Sequence, residues 1–400
     1  MLKNQGENVL MYDFNTNEGY FLHLLKCSLK SEQPCEPPEE IDFQIVFEIA
    51  MRHDVENLLF VSIDKLDKKP DVELYEKWRE RYYLRQRQCM YQELALEELI
   101  FVFTSAGIDC MPLKGSVIKN YYPNPDLRSM GDIDFLVREQ NRNVVRDIMH
   151  KLGYFDDILD DGQVDGFKKK DVYVEVHYDF SAKNHVYHEI FTIDWDRLVP
   201  AETEHLYKMT LDDLYFFNVG HYVKNMHNKG MGLRGVVDGY VLWKALSDEQ
   251  RQSVLHRFEG TDLSDFNSKM LRIADIWFDS AEDDGTLDLV QEYLIVKKTY
   301  GDEETEKILY TLYSFNSTSK SHFFLRRIFP TPQELYGRFN IKKKIFVILP
   351  FLWIARLFIL VFGKKNDKWN SVKGQIDKFN SVNQADIDYE RKVRQEFGLM

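Results

Sequence analysis

Asp132 and Asp134 stand two residues apart in Gly131-Asp132-Ile133-Asp134-Phe135-Leu136-Val137, an otherwise apolar run. The alternation reads as a strand. A period of two sends both carboxylates to one face while Ile133, Phe135 and Val137 serve the core. Like charges side by side on a half-buried strand repel and are costly to desolvate, so a neutralising divalent cation is the simplest explanation. A third carboxylate, Glu175, lies between valines in Val172-Tyr173-Val174-Glu175-Val176-His177-Tyr178. If this second strand lies beside the first, the three acids converge. Upstream, Leu113-Lys114-Gly115-Ser116 reads as a strand-to-helix turn. There Gly115 permits close backbone approach, and Ser116 caps a helix from Val117 to Tyr122 whose exposed amides suit a phosphate. The proline-stiffened Tyr122-Pro123-Asn124-Pro125-Asp126-Leu127 loop then delivers Arg128 just ahead of the acids. Two readings of Arg128 stay open: an ion pair with Asp132 or Asp134, or a planar fork around a substrate phosphate. Two divalent ions on Asp132, Asp134 and Glu175 would grip a triphosphate, activate an acceptor hydroxyl and neutralise a leaving pyrophosphate.

The elements that must hold these residues are mostly helical. Phe21, Leu22, Leu24, Leu25 and Leu29 form one helical stripe. A second helix is expected within Ile41 to Leu66, and a long third helix from Val72 to Ser105 stops at Ala106-Gly107. Arg79, Arg81, Arg85 and Arg87 on the long helix read as a solvated face rather than a phosphate-binding surface. Ile108 to Leu113 is then a short strand, and Gln140 to Leu152 a helix. Asp156 to Gly162 invites a calcium-loop reading and fails it, because Leu159 falls at the third position and Lys168 where the closing Glu should stand; a solvated turn is expected. Leu211 to Leu246 reads as helices carrying His221, Lys224, His227, Arg234 and Asp238. These residues form either a wall closing a pocket or a buried polar network between helices, and the network is favoured. A zinc site is not expected, since there is no His-Glu-x-x-His motif and no nearby cysteine.

Four hundred residues with 44% hydrophobic content suggest two or three domains with real cores. The balance of 52 basic against 65 acidic residues, a net charge of -13, makes long duplex nucleic acid the least attractive partner. Cys27, Cys35, Cys89 and Cys110 have no ligand spacing and read as reduced thiols. With a polar stretch from Met1 to Tyr20, they lead to a cytoplasmic expectation. From Gly301 the composition changes, and Ile345 to Phe362 is nearly all apolar between lysine clusters. Pro350 and Arg356 argue against a membrane span, so a buried or interfacial helix is expected, with peripheral membrane contact through 345–362.

The pattern resembles the DNA polymerase β-like nucleotidyltransferase superfamily: hydrophobic-Gly-[Gly/Ser], a helix, a hydrophobic-flanked Asp-x-Asp, and later a third acid between hydrophobic residues. Leu113-Lys114-Gly115-Ser116 carries the first part with Lys114 intervening, Asp132-Ile133-Asp134-Phe135 the second and Val174-Glu175-Val176 the third. The chain is more closely similar to an uncharacterised bacterial nucleotidyltransferase family with Leu-Lys-Gly, Tyr-Pro-x-Pro-x-x-Arg, Gly-Asp-x-Asp-x-Leu-Val and Glu-x-His. Here these are Leu113-Lys114-Gly115, Tyr122 to Arg128, Gly131 to Val137 and Glu175-Val176-His177. The likeness is strongest over 108–178 and extends more loosely from 20 to about 300.

The resemblance implies an α+β fold: a polymerase β-like core with a small mixed sheet, flanked by N-terminal and C-terminal helical regions. The expected segments are 1–105, 106–200, 201–300 and 301–400. It further implies that Gly115 and Ser116 contact a nucleoside triphosphate such as ATP, and that Asp132 and Asp134 bind two Mg2+ or Mn2+ ions. Glu175 would complete one metal site and take the acceptor proton, with Lys114 and Arg128 as phosphate ligands. His177, His221, Lys224 and Asp238 are expected near the pocket. The activity so implied is transfer of a nucleoside monophosphate to a hydroxyl of a sugar, small molecule, RNA end or protein, with loss of pyrophosphate. The alternatives are an idle nucleotide-binding or scaffold module at a membrane-bound complex, and a transferase that modifies protein or tRNA in toxin or phage-defence systems.

Overall fold

The computed structural model describes residues 13–157, 164–179, 194–297, 301–314 and 382–399, with positions 191, 299, 349 and 351–353. Helices α1 (Asn17–Lys30), α2 (Phe43–Arg52) and α3 (Glu56–Ile63) precede α4 (Val72–Ser105), 34 residues long and so about 50 Å from end to end. Asp71 caps the start of α4 by accepting from the Leu74 amide at 3.0 Å. Gly107, at φ 70, turns the chain out of its end in the left-handed conformation that a glycine adopts without strain. The single helix expected within Ile41 to Leu66 is two, because Asp54 turns left-handed (φ 53) between them.

The arginines of α4 depart from the expected solvated face. Arg79 and Arg87 are exposed, whereas Arg85 Nε (2.8 Å) and Arg81 Nη2 (3.2 Å) both donate to the fully buried Glu56. Arg85 Nη2 also reaches Asp54 at 2.8 Å. These bonds tie α3 to α4 and hold a buried carboxylate that would otherwise be costly.

The sheet has the order β1-β2-β5-β4-β3, with β1 (Cys110–Leu113), β2 (Ile133–Val137), β3 (Phe155–Asp157), β4 (Val164–Lys169) and β5 (Val172–His177). Among these five strands β2 and β5 pair in parallel and the other neighbours antiparallel. The crossover between them contains α6 (Arg142–Lys151) and the β3–β4 strands, while α5 (Gly115–Ile118) lies between β1 and β2. One face of the sheet packs Ile133, Phe135, Val137, Val174 and Val176 against Leu96, Leu99 and Phe103 of α4 and Val145 and Met149 of α6. On the opposite face Met111, Leu113 and Leu136 meet Leu198 and Phe217. Asp156 and Asp157, expected in a turn, belong to the edge strand β3; residues 158–163 lie outside the described residues.

A two-stranded ribbon, β6 (Val199–Pro200) with β7 (Tyr207–Lys208), leads to α7 (Leu211–Asn228), α8 (Arg234–Ala245), α9 (Asp248–Phe258), α10 (Leu263–Phe278) and α11 (Asp288–Val296). The architecture is the expected α+β, a small mixed sheet with helices before and after it. The chain divides into two compact units, one running to Gly301 and including 396–399, the other Asp302–Gln395. The second unit holds α12 (Glu303–Ser314) and nearly all of α13 (Gln384–Glu396), with a core of Ile308, Leu309, Leu312 and Ile387. Among the described residues no helix is long and apolar enough to cross a membrane. The apolar run 345–362 lies outside them except at Leu349 and 351–353.

His53, at the end of α2, is fully buried, and its Nε2 lies 2.8 Å from the Ile295 carbonyl of α11. A carbonyl only accepts, so Nε2 carries the proton and Nδ1, which has no partner among the described residues, is bare. Burial holds the pKa down at about 4, against the opposing pull of the Ile295 carbonyl. The unfolded chain therefore takes up this proton first. Stability is complete above pH 6.5 and falls as the pH drops toward 4, by about 3 kcal/mol. Urea unfolding at pH 7 and pH 4 should show this loss, and His53→Gln should lack it; equal pH dependence in both proteins would contradict the assignment.

Candidate active site

The parallel register of β2 and β5 sets Asp134 opposite Glu175 and Leu136 opposite His177. The period of two that buries Val174 and Val176 puts Glu175 and His177 on the other face of the sheet, with Asp134. His177 Nε2 lies 2.8 Å from Asp134 Oδ1 and 3.4 Å from Glu175 Oε2. From β1, antiparallel to β2 with Leu113 opposite Asp134, the following residue Lys114 places its Nζ 2.6 Å from the same Asp134 oxygen and 3.5 Å from His177 Nε2. Asp132 stands just ahead of β2 and lines the same cavity.

Lys114 has φ 47 and ψ -121, a backbone conformation rare for a side-chain-bearing residue and worth about 1–3 kcal/mol of strain. The positive φ thus falls on the lysine and not on Gly115. A Cβ at Gly115 would stand 2.6 Å from Arg128 Nη1 and 3.0 Å from Met130 Cγ, so the close approach it allows is to the chain itself. Ser116 is not the helix cap. It lies inside α5, buried, its Oγ without a hydrogen-bond partner among the described residues, while Lys114 holds the cap position without a side-chain bond to the helix start.

The charges are strongly coupled. Burial alone would raise the Asp134 pKa, but the Lys114 charge and the His177 hydrogen bond hold it well below the usual carboxylate range. Burial, and then the Asp134 charge, push Asp132 up to about 6. Burial works against the Lys114 charge, yet Asp134, Glu175 and Asp132 together raise its pKa. Burial and Lys114 pull His177 down, and its hydrogen bonds to Asp134 and Glu175 carry it above its ordinary value. The ligand atoms of Asp134, Glu175 and His177 lie within 4.8 Å of one another, close enough to share one cation.

These groups form one side of a cavity of about 630 Å³. Its other side comes from α7, α8 and the loop between them, including His221, Lys224, Lys229 and Arg234. Arg128 takes neither of its expected acidic partners. Its Nε and Nη2 grip both oxygens of Asp238 at 2.8 Å each, and Asp238 also accepts from Tyr122 (2.6 Å) and Tyr222 (3.0 Å). Asp238 is thereby a buried network joining α7, α8 and the loop before β2, and burial is outweighed by Arg128 in holding its carboxyl ionised. His221, on the cavity wall, has its pKa pushed down to about 3 by burial and then by Lys114, and so is neutral. Lys229, Arg234 and Thr299 line the cavity as well, beyond the pocket residues expected from the sequence. The signal for Arg234 was its spacing of four from Asp238 at the start of an apolar helix.

No curated protein matches the chain. Residues 39–279 match the model of a family described as uncharacterised nucleotidyltransferase, a narrower span than the sequence likeness suggested. That span holds both sheets, the acidic face and helices α2 to α10, and the chain belongs to that nucleotidyltransferase family.

Proposed function

We propose that the chain is a divalent-metal-dependent enzyme that moves a nucleoside monophosphate from a nucleoside triphosphate to a hydroxyl acceptor, releasing pyrophosphate. The observation that supports this most is the pairing of Asp134 with Glu175 across parallel strands, with His177 within reach of both, on one side of a large cavity. The donor set fits the ion. Carboxylate oxygens suit Mg2+ and Mn2+, and three acids on this face outnumber the single lysine that neutralises them. Asp134 and Glu175 would hold the metal, with Asp132 completing a second position.

Bound there, divalent ions would offset triphosphate charge and make the acceptor hydroxyl easier to deprotonate. Glu175, with 28% of its side chain exposed against 3% for Asp134, would take the acceptor proton. Lys114 would keep Asp134 ionised and offer its Nζ to the phosphates. Neutral His221 and the cationic residues of the α7–α8 wall would close the site over the nucleotide. The test is to supply triphosphates labelled at the α- or γ-phosphorus, with Mg2+ and cell extract. Label from the α position should enter a macromolecule or small acceptor while γ label leaves as pyrophosphate. Transfer of γ label to the acceptor would overturn the assignment.

A further inference from the structure

Arg234 is the first residue of α8, a 12-residue helix with no side-chain cap at its start. A cation there opposes the helix dipole, whose positive end is at the N-terminus. The side chain is only 4% exposed, lines the cavity and has no hydrogen bond or ion pair among the described residues; its Nη2 is sealed from solvent without a partner. The nearby carboxylate is Asp238, one helical turn on, whose charge feels Arg234. Asp238 is already saturated, because two bonds from Arg128 and one each from Tyr122 and Tyr222 fill the roughly four acceptor positions of a carboxylate. Two guanidinium groups therefore share one acid. Thr299 accepts from the Gly232 amide through its carbonyl (3.4 Å), two residues before Arg234. Thr299 also lines the cavity, and its buried hydroxyl has no hydrogen-bond partner among the described residues.

We infer that Arg234, Thr299 and the uncapped start of α8 form a subsite for the terminal phosphates of the nucleoside triphosphate. An oxyanion in the cavity would give the Arg234 guanidinium the counter-charge that saturated Asp238 does not supply, and would satisfy the dipole at the start of α8. The geometry favours the phosphate chain as the ligand. Asp238, one turn from Arg234, is gripped by Arg128, and Arg128 Nη1 packs against Gly115 beside the lysine that touches the acids. Asp134 and Arg234 line one cavity, and a triphosphate whose α-phosphorus lies at Asp134 would extend within it toward Arg234. The identity of the ligand rests on the transferase reading; the anion site itself does not.

The test uses inorganic tripolyphosphate and the full chain in EDTA, so that no metal contributes, with binding measured by calorimetry. Arg234→Met should weaken binding at least tenfold, Thr299→Val several-fold, and Arg234→Lys by an intermediate amount. Asp134→Asn should bind at least as tightly as the unaltered chain, since it removes a repelling charge. If Arg234→Met fails to fold, Arg234→Lys and Thr299→Val carry the test. Unaltered affinity in the folded variants, or no binding by the unaltered chain, would overturn the subsite. Triphosphate turnover with an unchanged KM in the folded Arg234 variant would overturn the subsite and leave the transferase reading standing. Loss of tripolyphosphate binding in a protein that never transfers a nucleotide would do the reverse.

Discussion

Asp134→Asn is expected to lower nucleotidyl transfer by at least about a thousandfold while leaving the chain folded. The substitution keeps the size of the side chain and removes the charge at the centre of the cluster, where Lys114, His177 and Glu175 meet. Electrostatic groups preorganised around a reacting phosphate typically carry effects of this size or larger. Stranding a buried charge can cost about 3–5 kcal/mol. Here Lys114 keeps Glu175 and Asp132 as counter-charges, so the loss of stability should be smaller. The measurement is release of pyrophosphate beside a urea unfolding curve. A folded variant whose rate falls less than tenfold would show that the chemistry lies elsewhere.

The second large effect concerns stability. Asp238→Ala should cost about 3–5 kcal/mol, because it leaves the Arg128 fork and the hydroxyls of Tyr122 and Tyr222 buried with no acceptor. The carboxylate joins the loop ahead of β2 to both helices of the cavity wall, so the wall and the acidic face should loosen together. Asp238→Asn keeps one acceptor oxygen and should cost less. The comparison is the urea midpoint of each variant against the unaltered chain, and equal midpoints for all three would refute the network's role.

The difference between what was and was not legible in the sequence follows from range. The alternation in Asp132 to Val137 and in Val172 to Tyr178 is local, so the strands and the shared face could be read directly. Their adjacency could only be supposed, since it depends on a crossover through α6 and β4. The long α4 was legible from its glycine stop, whereas the break between α2 and α3 was not, because Asp54 adopts a left-handed backbone that its residue type does not announce. Ser116 was misplaced for a related reason: the cap is set by the unusual φ of Lys114, two residues earlier than side-chain type suggested. Arg128 finds its partner 110 residues away, beyond any spacing rule. Arg81 and Arg85 likewise look solvated until Glu56, on another helix, is brought beneath them.

A titration with Mn2+ followed by electron paramagnetic resonance tests most directly whether the β2–β5 face holds divalent cations for nucleotidyl transfer. In the presence of a non-hydrolysable triphosphate the unaltered chain should remove Mn2+ from the free signal at a saturable site. Asp134→Asn should lose at least tenfold in affinity with its fold intact. Equal Mn2+ binding by the two proteins would contradict the account.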